Sequence, residues 1–272
     1  MKHASSLNRA GSRLAPLTRS IRALLCAGLG AGASALAADS FTIGLFSGNA
    51  DSGVDSGKTY TAIGNIVGGS VTVNGATFTN NGTDGLAGTG WALTDAGAPF
   101  GGGGNHSGLN AGIETIAQLF DAFQYNGNPA HFTLTGLTAG QTYRTTFYNQ
   151  AWGLGADRTQ AVTSNLAGSI ASINYNEDAL LLSKLNYTYT ADAAGSVQLS
   201  FNIIGAGSMH FYGASNELLN VWSPNSGNNW GTAANWSTGA ESNSAGSDAS
   251  FRGQGGGPEA GEDECADGMS EG

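Results

Sequence analysis

Positive charge is scarce in this sequence. Its 272 residues hold ten Lys and Arg against twenty Asp and Glu, and five of those ten (Lys2, Arg9, Arg13, Arg19, Arg22) fall in the first 22 positions. The other five, Lys58, Arg144, Arg158, Lys184 and Arg252, are scattered along the remaining chain. So thin a scatter does not build a phosphate-binding surface, which argues against nucleic acid and against an anionic membrane surface as partners. Cysteine is almost missing as well, with only Cys26 and Cys265, so no disulfide framework holds the fold. The spacings of catalytic motifs are lacking too. His106, His131 and His210 are dispersed, with no H-E-x-x-H or H-x-H pair, and no G-x-S-x-G falls on a strand–turn–helix pattern, which speaks against a metal-ligand set or a nucleophile elbow. "GGGGNHSG" has neither the Lys nor the following helix of a phosphate loop.

A long apolar run is also missing. The longest candidate, "ALLCAGLGAGASALAA" at residues 23–38, is too short and too rich in Gly and Ala for a membrane span. Behind its basic, acid-free start, and ending in small residues, it reads instead as a secretory signal cleaved near Ala38. Removing residues 1–38 takes five basic residues and no acid, which leaves five basic and twenty acidic residues and a formal charge of −15. The mature chain is then expected to be secreted or displayed at the cell surface, without a membrane span.

What is present in quantity is β-pattern. In "HFTLTGLTAGQTYRTTFYNQAWG" the apolar Phe132, Leu134 and Leu137 are followed by Tyr143 and Phe147 in a second alternating run. Alternation of this kind suits half-buried strands, and the glycines of "GLTAG" suit a turn between them. The run therefore reads as a hairpin or a sandwich corner. Tyr143 is either an ordinary core tyrosine or a tyrosine corner, whose hydroxyl bonds back to upstream backbone. Similar runs recur from "FTIGLF" to "SMHFYGASNE", with an Asn74–Gly75 hairpin turn in "SVTVNGATFT". Residues 39–216 are thus expected to form an all-β, antiparallel, jelly-roll-like β-sandwich. Its core should hold Trp91, Phe132, Leu134, Leu137, Tyr143, Phe147, Leu199, Phe201 and Phe211. One short helix is expected in "GIETIAQLFDAFQY", where Ile113, Ile116, Leu119, Phe120 and Phe123 recur at helical spacing. "APFGGGGNHSG" reads as a flexible loop.

Residues 217–251 change texture, with Trp222, Trp230 and Trp236 set among Asn, Ser and Gly. They read as the start of a second, repeat-like β module whose core the tryptophans form. Residues 252–272 carry six acids and no alternation, a composition that stays disordered. This stretch is either a tail or the end of a truncated or frame-shifted reading frame.

The series "ADSGVDSGKTYTAIGN", "VTVNGATF", "GTGWALT", "FTLTGLTAGQTYRTTFYNQAWG", "RTQAVTS", "LNYTYTADAAGSVQLSFN", "MHFYGASNE" and "VWSPNSGNNWGTAANWSTGA" resembles the N-terminal module of exported bacterial surface proteins. In those proteins the module precedes autotransporter-associated β-strand repeats or a sorting tail. The resemblance implies an outer-membrane or surface-displayed sandwich, loosely like carbohydrate-binding modules and suited to adhesion. It brings no catalytic residue.

Two loops offer candidate sites. In "YNQAWGLGADRTQ", Tyr148, Asn149 and Trp152, with Asp157 and Arg158, combine an aromatic face with amide and charged hydrogen-bonders, as sugar sites do. The alternative is that Trp152 plugs the end of the sandwich. In "NADSGVDSGK", Asp51 and Asp55 supply hard oxygen ligands of the kind that hold a structural calcium, or serve as polar turn residues. Glu114 and Asp121, seven apart on the expected helix, are the one carboxylate pair to weigh for sugar hydrolysis, against a solvated helix face. Together these features favour a non-catalytic exported module for polysaccharide or cell-surface matrix. The alternatives are a structural cap without ligand and a glycan-active hydrolase.

Overall fold

The computed structural model describes residues 39–80, 87–101, 108–110, 112–223, 229–241 and 249–251. The signal segment with its cleavage point near Ala38, His106 and the acidic tail 252–272 lie outside the described residues. In chain order the strands are β1 (Ser40–Leu45), β2 (Tyr60–Asn65), β3 (Val71–Val73), β4 (Ala76–Phe78), β5 (Ala87–Gly88), β6 (Trp91–Thr94), β7 (Ala98–Gly101), β8 (Ala122–Tyr125), β9 (Ala130–Thr135), β10 (Thr142–Gln150), β11 (Thr159–Ser164), β12 (Ser172–Asn176), β13 (Leu182–Thr190), β14 (Ser196–Ile203), β15 (Gly213–Leu218), β16 (Asn220–Trp222) and β17 (Ala249–Phe251). Among the described residues no helix is long and apolar enough to cross a membrane.

The fold is an all-β antiparallel sandwich. A five-stranded sheet runs β1-β13-β10-β15-β2 and a six-stranded sheet runs β12-β11-β14-β9-β6-β5. The alternation read from the sequence turns the apolar side chains of both sheets inward. Phe132 of β9 and Phe201 of β14 meet Phe147 of β10 edge-on, with ring centroids 4.9 and 5.2 Å apart. All nine core residues named from the sequence are buried in this one cluster, together with Leu185, Tyr187 and Tyr189 of β13.

The stretch from His131 to Gly153 is a corner rather than a hairpin. β9 lies in the six-stranded sheet and β10 in the five-stranded one, so "GLTAG" carries the chain between sheets. There the Tyr143 hydroxyl accepts a hydrogen bond from the Thr138 amide at 2.9 Å, which gives the corner tyrosine its role. The Asn74–Gly75 turn joins β3 to β4 with φ of 47° and 80°, the paired positive values of a type I′ hairpin.

The helical expectation is met only in part. Thr115–Asp121 is a 3₁₀ helix that buries Ile116, Leu119 and Phe120, while Ile113 is 71% exposed. The chain then straightens into β8, because Phe123 has a better place. It stacks on Phe100 of β7 at 5.1 Å through the β7–β8 pair. "APFG" is therefore strand, not loop. Glu114 precedes the 3₁₀ helix and its carboxylate accepts from the Asn49 amide, so Glu114 and Asp121 do not share a helix face. A second cluster forms on the outer side of the five-stranded sheet, where Phe46, Phe78, Phe120 and Tyr212 surround Tyr148.

β15 continues through Glu217 to Leu218, and the Leu219 amide donates to Thr142 O at 2.8 Å. The Trp-rich segment follows directly. β16 pairs with β17 in parallel, and Trp236, buried, donates its indole N–H to Trp230 O at 2.9 Å while its ring meets Trp230 edge-on.

Phe201, 1% exposed, and Ile170, 96% exposed, give a paired test of the core. Phe201→Ala should cost about 3–5 kcal/mol, and Ile170→Ala should stay within about 0.5 kcal/mol of the parent. Urea unfolding followed by tryptophan fluorescence measures both. Equal midpoints for the two variants would refute this packing.

Candidate functional site

The residues expected to form one binding loop part company. Tyr148 and Asn149 lie in β10 and are buried. Tyr148 sits under Phe46 and Phe78 with its hydroxyl 3.3 Å from Ser215 Oγ. The Asn149 amide bridges two elements, accepting from Tyr175 OH at 3.0 Å and donating to His210 O at 3.2 Å. Both are held too deep for a loop ligand. Trp152 is half-buried and edge-on to Phe100, Phe123 and His210, at 5.3, 5.0 and 5.6 Å, so it plugs the sandwich end. Asp157 and Arg158 do not pair with each other. Asp157 accepts from Thr159 Oγ1 at 2.6 Å, and Arg158 turns inward.

Arg158 meets a cluster the sequence did not advertise. "NYNEDALL" looks like a polar turn, yet Glu177 and Asp178 are fully buried. The Asp178 carboxylate accepts from the Trp152 and Gly153 amides at 2.7 and 3.2 Å. Its other oxygen lies 2.9 Å from Arg158 Nε, close enough for an ion pair but without hydrogen-bond alignment. Glu177 Oε2 accepts from the His210 amide at 2.8 Å and Oε1 lies 2.8 Å from His210 Nδ1. The Phe123 ring covers the imidazole at 4.1 Å. This acid–base pair is sealed from solvent, so it orders the sandwich end rather than reaching a substrate.

Asp51 and Asp55 serve their own loop. Asp51 accepts from the amides of Ser47 and Gly48 at 2.9 and 3.0 Å, and these bonds hold its carboxyl below the usual range. Asp55 accepts from the Gly57 amide at 2.6 Å. Among the described residues no three His, Cys, Asp or Glu side chains converge on a point that a metal would fill.

A polar cleft of about 170 Å³ opens on the outer face of the five-stranded sheet, lined by Lys58, Arg144, Lys184, Glu217, Thr146 and Asn186 among others. The strand register builds it. Thr146 of β10 stands between Asn186 of β13 and Ser215 of β15, Arg144 faces Glu217, and Tyr148 faces Lys184. Three of the five basic residues beyond position 38 therefore meet in one place, although along the sequence they look dispersed. Glu217, buried, lies 2.9 Å from Lys58 Nζ and also takes Arg144. Lys184 donates to the carbonyls of Asp51 and Ser52 at 2.8 and 3.1 Å. Burial lowers the pKa of its ammonium, Asp51 partly offsets this, and Arg144 and Lys58 lower it further. Thr146 Oγ1 donates to Asn186 Oδ1 at 2.9 Å, which leaves Asn186 Nδ2 without a partner among the described residues.

The sealed pair makes a pH prediction. Burial raises the Glu177 carboxyl well above its usual 4.5, and burial followed by Arg158 pushes His210 from 6.5 down to about 3. Both shifts favour the neutral forms of the two groups. The raised Glu177 stabilises fully below pH 4.5 and loses its contribution as pH rises through its folded value. The depressed His210 stabilises fully above pH 6.5 and loses its contribution as pH falls toward 3. The two slopes oppose each other between these values, and the pair's contribution falls away on either side. Glu177→Gln keeps an N–H donor to Nδ1 and removes the acid, so its urea midpoint should lose the alkaline decline shown by the parent. Parallel declines above pH 6.5 would mean that Glu177 is ionised in the fold.

No family model and no curated protein matches this chain. Solved structures of plant receptor-like kinase ectodomains are similar to it over part of its length. The receptor-like kinase ANX2 aligns with TM-score 0.43 and 9% identity over 58% of this chain and 48% of that one. The ANXUR1 extracellular domain of Arabidopsis thaliana aligns with TM-score 0.37 and 11% identity over the same shares of the two chains. The chain thus spans about half the length of the structures it matches.

Proposed function

We propose that this chain is an exported, non-catalytic binding module for carbohydrate or cell-surface matrix, and that its ligand sits in the outer-sheet cleft. The observation that carries this reading is the row of side chains the register places there. A hydroxyl, an amide with an unused N–H and an ammonium stand side by side on central strands. Sugars present hydroxyls and ring oxygens at similar spacing, and such groups exchange bonds with Thr, Asn and Lys side chains. Export is supported by the basic, apolar and small-residue N-terminus. Display in a bacterial surface protein is supported by the sequence likeness described above. The sealing of the Glu177–His210 pair argues against a hydrolase.

Hydrogen bonds of this kind contribute a net of about 0.5–1.5 kcal/mol each, so one module should bind in the micromolar-to-millimolar range. Adhesion then depends on many copies. Full-length protein titrated against a panel of soluble polysaccharide fragments should bind at least one of them. Asn186→Ala should lose about tenfold in affinity without a change in melting temperature, and Trp152→Ala should lower the melting temperature. Absence of binding across the panel would leave the structural cap as the better reading.

A further inference from the structure

Lys184 is the unusual cation of the cleft. Lys58 and Arg144 share the buried Glu217 carboxylate. Lys184 has only two backbone carbonyls for its three N–H donors and lies 6.0 Å from the centroid of the Phe46 ring. No carboxylate lies within ion-pair distance of it among the described residues. The nearest acid in its loop, Asp51, turns its oxygens to Ser47 and Gly48. The lining therefore carries three cations and one anion, an excess of two positive charges in a chain whose formal charge is −10. Half-buried charge is costly unless it is paired, and Arg144, Lys184 and Glu217 are held on paired strands, with Lys58 in the bend just before β2.

Two unused donors lie on one strand face. The third Lys184 N–H and Asn186 Nδ2 belong to residues two apart in β13, so their Cα atoms are about 7 Å apart. The ammonium suits a charged oxygen and the amide suits a neutral one. Thr146 stands beside the amide, with Ser215 beyond it on β15, and both add hydroxyls. Lys58, Glu217 and Arg144 close the far end with a net charge of +1, which attracts an anion without offering an unpaired carboxylate to repel it.

We propose that this cleft binds an acidic saccharide, with the carboxylate of a uronate-type unit on Lys184 and its hydroxyls on Asn186 and Thr146. The proposal rests on the carbohydrate reading above and names the class of sugar. It makes Lys184 the residue that selects a charged sugar over its neutral counterpart.

The sequence supplies a probe, because Lys2, Lys58 and Lys184 are its only lysines. Full-length protein with 13Cε-labelled lysine gives one signal for each, and the Lys184 signal can be followed during titration. The ligands are oligogalacturonate, a neutral galactose oligomer of the same length, and sodium sulfate. Oligogalacturonate should bind at least tenfold more tightly than the neutral oligomer and shift the Lys184 signal. It should also raise the Lys184 pKa, and its affinity should fall steeply between 50 and 500 mM NaCl. Lys184→Met keeps the apolar stem and should remove this preference at an equal or higher melting temperature. If Lys184→Met fails to fold, the parent's Lys184 signal decides alone. Sulfate binding as tightly as oligogalacturonate would overturn the saccharide half of the proposal. Equal affinity for both oligomers, or acidic-sugar binding that leaves Lys184 unshifted, would overturn the proposal while the carbohydrate reading stands. Failure of both oligomers to bind would count against both.

Discussion

β10 lies third of five strands in its sheet, and its register governs both faces of the molecule. Tyr143, Thr145 and Phe147 point into the sandwich, while Arg144, Thr146 and Tyr148 point outward. A slip of one residue would bury Arg144 and Thr146 and expose Phe147, because side chains alternate with period two. The corner bond from Thr138 to Tyr143 fixes where the strand begins, and pairing on both sides fixes the rest. Core and cleft are therefore two consequences of one constraint.

Buried charge is handled in two ways. At the sandwich end, Glu177, Asp178, His210 and Arg158 are covered by Phe123 and Trp152, and every carboxylate oxygen has a nearby donor or cation. Removing one partner from such a cluster leaves the others stranded in low dielectric, so its role is to hold the end of the fold in one arrangement. On the outer sheet face, Lys58, Arg144 and Glu217 form a partly covered triad, and Lys184 beside it has no carboxylate within ion-pair distance among the described residues. The first group gathers its charges among themselves and is shut off from solvent, even though Arg158 Nε, Glu177 Oε1 and Asp178 Oδ2 lack aligned hydrogen bonds, whereas the second leaves charge and donors for something else to meet. This difference, rather than the number of charged residues, separates a structural cluster from a binding cleft.

The aromatic residues divide in the same manner. Trp152, with its glycine-flanked loop and amide neighbours, has the composition of a sugar platform. Its ring instead packs edge-on against three others at the sandwich end. Burying a tryptophan there removes more apolar surface from water than a weak ligand contact would offset.

The sequence alone determined the sandwich and the core, and it narrowed the stretch around Tyr143 to a hairpin or a corner. Alternation depends on neighbours two residues apart, so Phe132, Leu134, Phe147, Leu199 and Phe201 show their inward face without knowledge of their partners. The Asn74–Gly75 turn was legible for the same local reason. Local pattern failed where a competing contact lay elsewhere in the chain. Phe123 left its helical spacing for Phe100, and "NEDA" folded inward because Arg158 and His210 were waiting there. The cleft was beyond the reach of sequence altogether. Lys58, Arg144 and Lys184 come from three separate stretches, and only the pairing of β13 with β10, of β10 with β15 and of β15 with β2, which Lys58 shortly precedes, sets their charges in one place. Electrostatic fields add through space and not along the chain, so three cations dispersed in the sequence become a positive cleft in the fold.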